Sequence, residues 1–299
     1  MQAFIQSCEL IVAYFQSSLV AYLLLVFVFS LCVGSFLNVV IYRLPKMMER
    51  SWQQEYQQYF QPNAALPATA PFNLAVPRSR CPHCQQQLTA LDNIPLFSYL
   101  SLAGKCRYCA APISRRYPLV ELGTALLSVL VAWQTGTTAL GLLYLVVTWA
   151  LVALSAIDID TMLLPDQITL PLLWLALLAA VAGISSVSAE TALIGAACGY
   201  LALWSVFWGF KLLTGKDGMG YGDFKLLALF GALLGWQQLP LIILLSSLVG
   251  AVIGSVLLTL QGRSKSSAIP FGPYIAAAGW IAMLWGQDIT QWYLAMVLA

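Results

Sequence analysis

Eight mostly apolar stretches, at 19–42, 117–135, 139–158, 167–184, 191–212, 223–236, 239–260 and 269–287, govern what this chain can become. A hydrocarbon core about 30 Å thick takes roughly 20 apolar residues to cross as a helix. A helix also satisfies its own backbone polar groups in lipid. The pattern therefore predicts an all-α polytopic membrane protein with about eight transmembrane helices. Composition agrees, because 60% of the 299 residues are hydrophobic and only 9% are charged, against about 25% charged in soluble domains. Mean hydropathy is +0.81. A soluble enzyme and a disordered chain are excluded, and a net charge of +2 argues against a nucleic-acid partner. The run from Ala21 to Phe29 has no Lys or Arg before it and Arg43 after it, the wrong flank order for a cleaved signal.

Orientation follows from the cations. Nine of the fourteen Lys and Arg residues lie between the first two stretches: Arg43, Lys46, Arg50, Arg78, Arg80, Lys105, Arg107, Arg115 and Arg116. The other five fall in connections that eight spans put on that same side. Positive loops stay cytoplasmic, so the large loop is expected inside and both termini outside. Three divisions result: 1–42 as N-terminal segment and first helix, 43–116 as cytoplasmic loop, and 117–299 as a seven-helix membrane core. Glycines four apart, at 195 and 199, 231 and 235, and 250 and 254, predict close helix packing.

In the loop, a polar stretch from Ser51 to Gln61 precedes Pro62, Pro67, Pro71 and Pro77, which argue against one long helix. Cys81-Pro-His-Cys84 and Cys106-Arg-Tyr-Cys109 follow, with twenty-one residues between them. Two such knuckles predict a tetrahedral four-cysteine zinc site, structural because four thiolates leave no position open. Arg80, Lys105 and Arg107 are expected to offset its negative charge. His83, the sole histidine, is not expected among the ligands, because its knuckle already supplies two sulfurs. The competing reading is four reduced thiols or two redox pairs, which a cytoplasmic loop disfavours. Cys8, Cys32 and Cys198 read as packed thiols.

Acids near apolar spans are functional candidates because burying a charge there is costly. Asp158 and Asp160 end the third stretch, and Asp223 follows Gly218, Gly220 and Gly222 at the start of the sixth. Asp158 and Asp223 come to one depth in this topology. Two carboxylates held together share a proton. One can then take a proton from water while its partner polarises a scissile carbonyl. Asp160, about 200° around the helix from Asp158, is the alternative partner. For Asp223 an N-cap role is an equal reading on spacing alone, and Asp166 after Pro165 reads as an N-cap. The glycines are expected to let the backbone unwind. Lys225 is expected to balance the charge of the acid pair or to snorkel to the interface, and Glu121 to bond a neighbouring helix.

The ordered set of Asp158 with Leu164-Pro165-Asp166, Gly220-Tyr221-Gly222-Asp223-Phe224-Lys225 and the paired Cys-x-x-Cys loop resembles the bacterial type IV prepilin peptidases. These are intramembrane aspartyl proteases with a Gly-x-Gly-Asp motif. Gly34-Ser35-Phe36-Leu37-Asn38 through Arg43-Leu44-Pro45, and Ile269-Pro270-Phe271-Gly272-Pro273, are similar to further segments of that family. The resemblance covers about residues 30–287. It implies a bacterial inner-membrane enzyme of type IV pilus biogenesis and type II secretion, with prepilins and pseudopilins as substrates. Asp158 and Asp223 would be the catalytic pair, cutting the basic leader after glycine at the cytoplasmic face. It also implies methylation of the new N-terminal amine by S-adenosylmethionine. No Gly-x-Gly-x-x-Gly follows a strand, so the residues themselves assign no donor site; a place near the cysteine loop and Glu121 is the expectation. Cys81, Cys84, Cys106 and Cys109 would be the family's cysteine cluster. Two rival classes are a proton- or cation-coupled transporter using Asp158, Asp223 and Glu121, and an assembly scaffold whose aspartates are caps.

Overall fold

Every apolar stretch falls on a helix in the computed structural model, which describes residues 15–61, 70–261 and 270–298. The helices are α1 (Leu19–Phe60), α2 (Phe97–Ser101), α3 (Arg116–Thr135), α4 (Ala139–Thr161), α5 (Asp166–Val181), α6 (Ala189–Thr214), α7 (Tyr221–Leu234), α8 (Leu239–Gln261) and α9 (Gly272–Leu298). Among the described residues there is no strand beyond two isolated bridges. Five segments are long and apolar enough to cross a membrane: Leu19–Phe60, Arg116–Thr135, Ala139–Thr161, Ala189–Thr214 and Trp236–Val256. The chain is an all-α membrane protein built as two compact units, Met1–Trp133 and Gln134–Ala299.

In the first unit, α1 does not stop at residue 42 but continues to Phe60 with Pro45 inside it. The segment after Pro45 is rich in Glu, Gln, Lys and Met, all good helix formers. Bonds one turn apart, Ser51 to Glu55 and Gln53 to Glu49, support it. Of the prolines expected to break it, Pro71 and Pro77 lie in later loop, and Pro62 and Pro67 lie outside the described residues. Buried Arg43 then donates to the carbonyls of Asn73, Leu74 and Pro77, at 2.9, 3.4 and 2.6 Å, so that loop folds back on α1. Gly34 lets α1 meet α3, because a Cβ there would lie 2.7 Å from Glu121 Cα. Asn38 Nδ2 donates to the Tyr117 carbonyl at 3.2 Å across the same contact.

The second unit is organised around α7. From Asp223 to Leu234 every residue except Lys225 is buried. The tightest contact is with α6: a Cβ on Gly195 would collide with the Gly231 carbonyl, and one on Gly199 would sit 2.6 Å from the Leu227 carbonyl. Gly235 plays a different part from the packing role its spacing suggests. It ends α7 at φ +84°, where an L side chain is strained. Cys32 and Cys198 are exposed on their helices, so they are not packed thiols; their apolar surroundings would be lipid instead of neighbouring helices. Cys8 lies outside the described residues.

Gly195→Leu is expected to destabilise the protein by about 3 kcal/mol, since backbone on both sides must move apart. Gly209→Ala on the same helix meets nothing within 4 Å and should be neutral or stabilising by up to about 1 kcal/mol. Thermal unfolding of both variants in detergent checks the contrast.

Candidate active site and cysteine cluster

One end of the second unit gathers the C-terminus of α4 with the N-termini of α5, α7 and α9. Asp158 lies in the last turn of α4 and is buried, 5% exposed. Met162 then adopts φ +57° and turns the chain toward Leu164, Pro165 and the start of α5. Gly272, the first residue of α9, donates its N–H to Asp158 Oδ2 at 3.0 Å. A Cβ there would lie 2.7 Å from that oxygen, so only glycine lets this backbone come so close.

Asp223 lies in the first turn of α7, 6% exposed, and interacts electrostatically with Asp158. Its Oδ1 is buried without a hydrogen-bond partner among the described residues. Helix N-termini carry partial positive charge, and both acids lie where such termini converge. Asp160 is exposed one half-turn on. The cap reading of Asp223 fails, because Gly220 is the N-cap and no side chain caps the helix. Asp166 is not a cap either. Pro165 holds that position, and the Asp166 carboxylate instead takes Lys225 Nζ at 2.6 and 2.7 Å. Lys225 is therefore paired within the protein.

The glycines before Asp223 serve close approach more than unwinding. Gly220 is extended at φ −81°, and Gly222 is already helical. A Cβ on Gly222 would lie 2.6 Å from Leu164 Cβ. Sequence reading missed this contact, the Gly272 N–H and the Asp166–Lys225 pair. Each joins residues far apart in the chain, and only the motif spacing of Leu-Pro-Asp and Asp-x-Lys hinted at them.

In the first unit the two knuckles repeat one another. The N–H of Gln85 donates to the Cys81 carbonyl and that of Ala110 to the Cys106 carbonyl, each at 2.9 Å. Bridges join Arg80 with Gln87 and Lys105 with Pro112. Gln85 and Ala110 share φ values of 58° and 56°. The four sulfurs of Cys81, Cys84, Cys106 and Cys109 lie within 4.8 Å of one another, close enough to hold a metal ion. Backbone N–H groups of Cys84 and His83 lower the Cys81 thiol to about 6. At Cys109 the Ala111 N–H is outweighed by burial and the neighbouring sulfurs, which push that thiol up to about 11. Arg107 does not serve the sulfurs, since its Nε pairs with Asp92 at 2.9 Å. Glu121 is buried in α3; its Oε2 accepts the N–H of Leu96 at 2.8 Å, and its carboxylate also accepts from Ser35 of α1, the expected bond to a neighbouring helix.

An interacting pair of buried carboxylates on apolar helices, with a separate four-thiol cluster, defines a polytopic membrane protein equipped for acid–base chemistry. The bacterial peptidase A24 N-terminal domain matches residues 28–135, and the type IV leader peptidase family matches residues 145–255. A prepilin leader peptidase/N-methyltransferase of Aeromonas hydrophila is 61% identical over 277 residues, covering 93% of this chain and 95% of the relative. Proteins of the same name from Stutzerimonas stutzeri and Pseudomonas aeruginosa are 56% and 55% identical over 283 residues each. These cover 95% and 94% of this chain, and 97% and 96% of the respective relatives. No solved structure matches the chain. The chain belongs to the prepilin leader peptidase/N-methyltransferase family, and the transporter reading finds no support.

Proposed function

We propose that this chain is an intramembrane aspartyl endopeptidase that removes the basic leader of type IV prepilins and pseudopilins, with Asp158 and Asp223 as the catalytic pair. The observation that carries this reading is the buried, electrostatically coupled pair, with Asp223 Oδ1 unpartnered. A buried carboxylate oxygen left unbonded is costly and is available to a proton, a water or a substrate carbonyl. One carboxylate takes a proton from the attacking water, and the other, protonated, donates to the carbonyl oxygen and then serves the leaving amine. The Gly272 N–H holds Asp158 in one orientation through this cycle. A substrate with its own apolar helix can lie along the bundle in lipid and bring its scissile bond to the depth of the pair.

The second activity is methylation of the newly exposed amine, as the relatives' names suggest. S-adenosylmethionine is the methyl donor and is consumed as a substrate: the amine nitrogen takes the methyl group from the sulfonium and loses a proton.

The four-cysteine cluster holds a structural zinc ion. A tetrahedron with Zn–S bonds of about 2.3 Å has edges of about 3.8 Å, and Cys81 Sγ and Cys109 Sγ are 3.8 Å apart. The ion ties together two knuckles whose own hydrogen bonds are local. With all fourteen cations on one side of eight spans, the protein sits in the bacterial inner membrane with loop and carboxylates cytoplasmic and both termini periplasmic.

Cleavage of a prepilin-like peptide by the purified protein in lipid tests the catalytic reading. Asp158→Asn and Asp223→Asn should each lose about a thousandfold or more, with Asp160→Asn within a few-fold of wild type. Equal rates in all three variants would make these acids structural and sink the proposal; loss at 160 with 158 spared would move the partner. Elemental analysis should find about one zinc per chain, falling away in Cys81→Ser; wild type purified without zinc would overturn the metal assignment. A phosphatase reporter fused to the C-terminus should be active, since that enzyme matures only in the periplasm; an inactive, intact fusion would reverse the topology.

A further inference from the structure

The dyad chemistry makes no use of the Asp166–Lys225 pair, although Lys225 follows Asp223 by only two residues. Lys225 is 26% and Asp166 51% exposed, and ion pairs at such exposure add little stability. The position of this pair is more informative. Two contacts and one charge–charge interaction join the segment from Asp158 to Asp166 to the first turn of α7. Asp158 acts on Asp223 through its charge, Leu164 fills the space against Gly222, and Asp166 holds Lys225 through both oxygens. Residues two apart on a helix point about 200° apart, so Asp223 and Lys225 leave α7 on opposite flanks. The segment thus grips that turn from both sides.

We propose that Asp166 and Lys225 are positioning residues that fix the first turn of α7, and so aim Asp223 at Asp158. This rests on the reading of those two acids as the protease pair. The rest of α7 is held by packing, with its backbone on Gly195 and Gly199 of α6 and Phe224 against Tyr200 and Phe207, so the ion pair acts on the polar first turn, where Asp223 is carried. A carboxyl group about 6 Å from the helix axis moves roughly 2 Å for a 20° turn, and displacements near 1 Å can cost a hundredfold in rate. A bidentate ion pair on the far flank opposes that turn. Its partner Asp166 is itself fixed at the first residue of α5, directly after Pro165.

Steady-state cleavage of a prepilin-like peptide by the full chain in lipid tests this, with rates taken per mole of folded protein. Lys225→Ala and Asp166→Ala should each lower kcat about tenfold or more, with KM within about twofold of wild type. The double variant should be no slower than either single one, because both remove the same contact. Lys225→Arg, which can still engage both oxygens, should recover most of the lost kcat. Unchanged kcat in the single variants, losses that multiply in the double, or an effect carried by KM would each overturn the proposal. Wild type unable to cleave would instead remove the protease reading, and this inference with it.

Discussion

The burial of α7 is the constraint on which the second unit depends. At 14 residues and 1.5 Å per residue it is about 21 Å long, short of a hydrocarbon core of about 30 Å. Such a helix is not built to face lipid. It is enclosed by α5, α6 and α9, and almost none of its surface is left exposed. Glycine makes the enclosure possible: where Gly195 and Gly199 meet Gly231 and Leu227, backbone lies directly on backbone. In lipid, helix association draws on such packing because the surroundings are as apolar as the side chains. The first turn of this enclosed helix carries Asp223 and Lys225, so the packing that hides α7 also fixes where its polar end emerges.

The cysteine unit solves a different problem. Between residues 70 and 115 the only buried residues are Cys81 and Cys106, so no apolar core holds this segment. The two knuckles are nearly identical turns, each closed by a backbone bond to its first cysteine and each passing through a left-handed residue. Four sulfurs brought this close repel one another when ionised. The opposed shifts at Cys81 and Cys109 express that conflict. A cation held by the four sulfurs would neutralise the thiolates and join both turns through one ion.

Much of this protein was legible in its sequence, for physical reasons that differ by feature. The all-α membrane architecture was legible because hydrophobic runs of membrane length have few other uses. The cysteine cluster was legible because paired knuckles carry their geometry in their spacing. Asp158 could be favoured over Asp160 as the buried acid because residues two apart on a helix cannot share a face, and the structure does bury one and expose the other. Other readings gave way for local or for distant reasons. The apolar run set the first helix to end at residue 42, yet a run of helix formers carries it past Pro45 to Phe60, still ahead of Pro62. Asp166 looked like a cap, but Pro165 took that place and released its carboxylate to Lys225.

By itself the sequence determined the solvent for this chain, the positions of its helices and the residues able to do chemistry, since each depends on composition or on spacing within one segment. Tertiary structure decided which of those residues meet. The bond from Gly272 to Asp158 spans 114 positions and that from Lys225 to Asp166 spans 59, distances over which no local periodicity operates. It also decided that Gly195 and Gly231 are contacts whereas Gly235 is a terminator. Glycine writes the same letter for both roles, and only the neighbouring backbone, or the sign of φ, tells them apart.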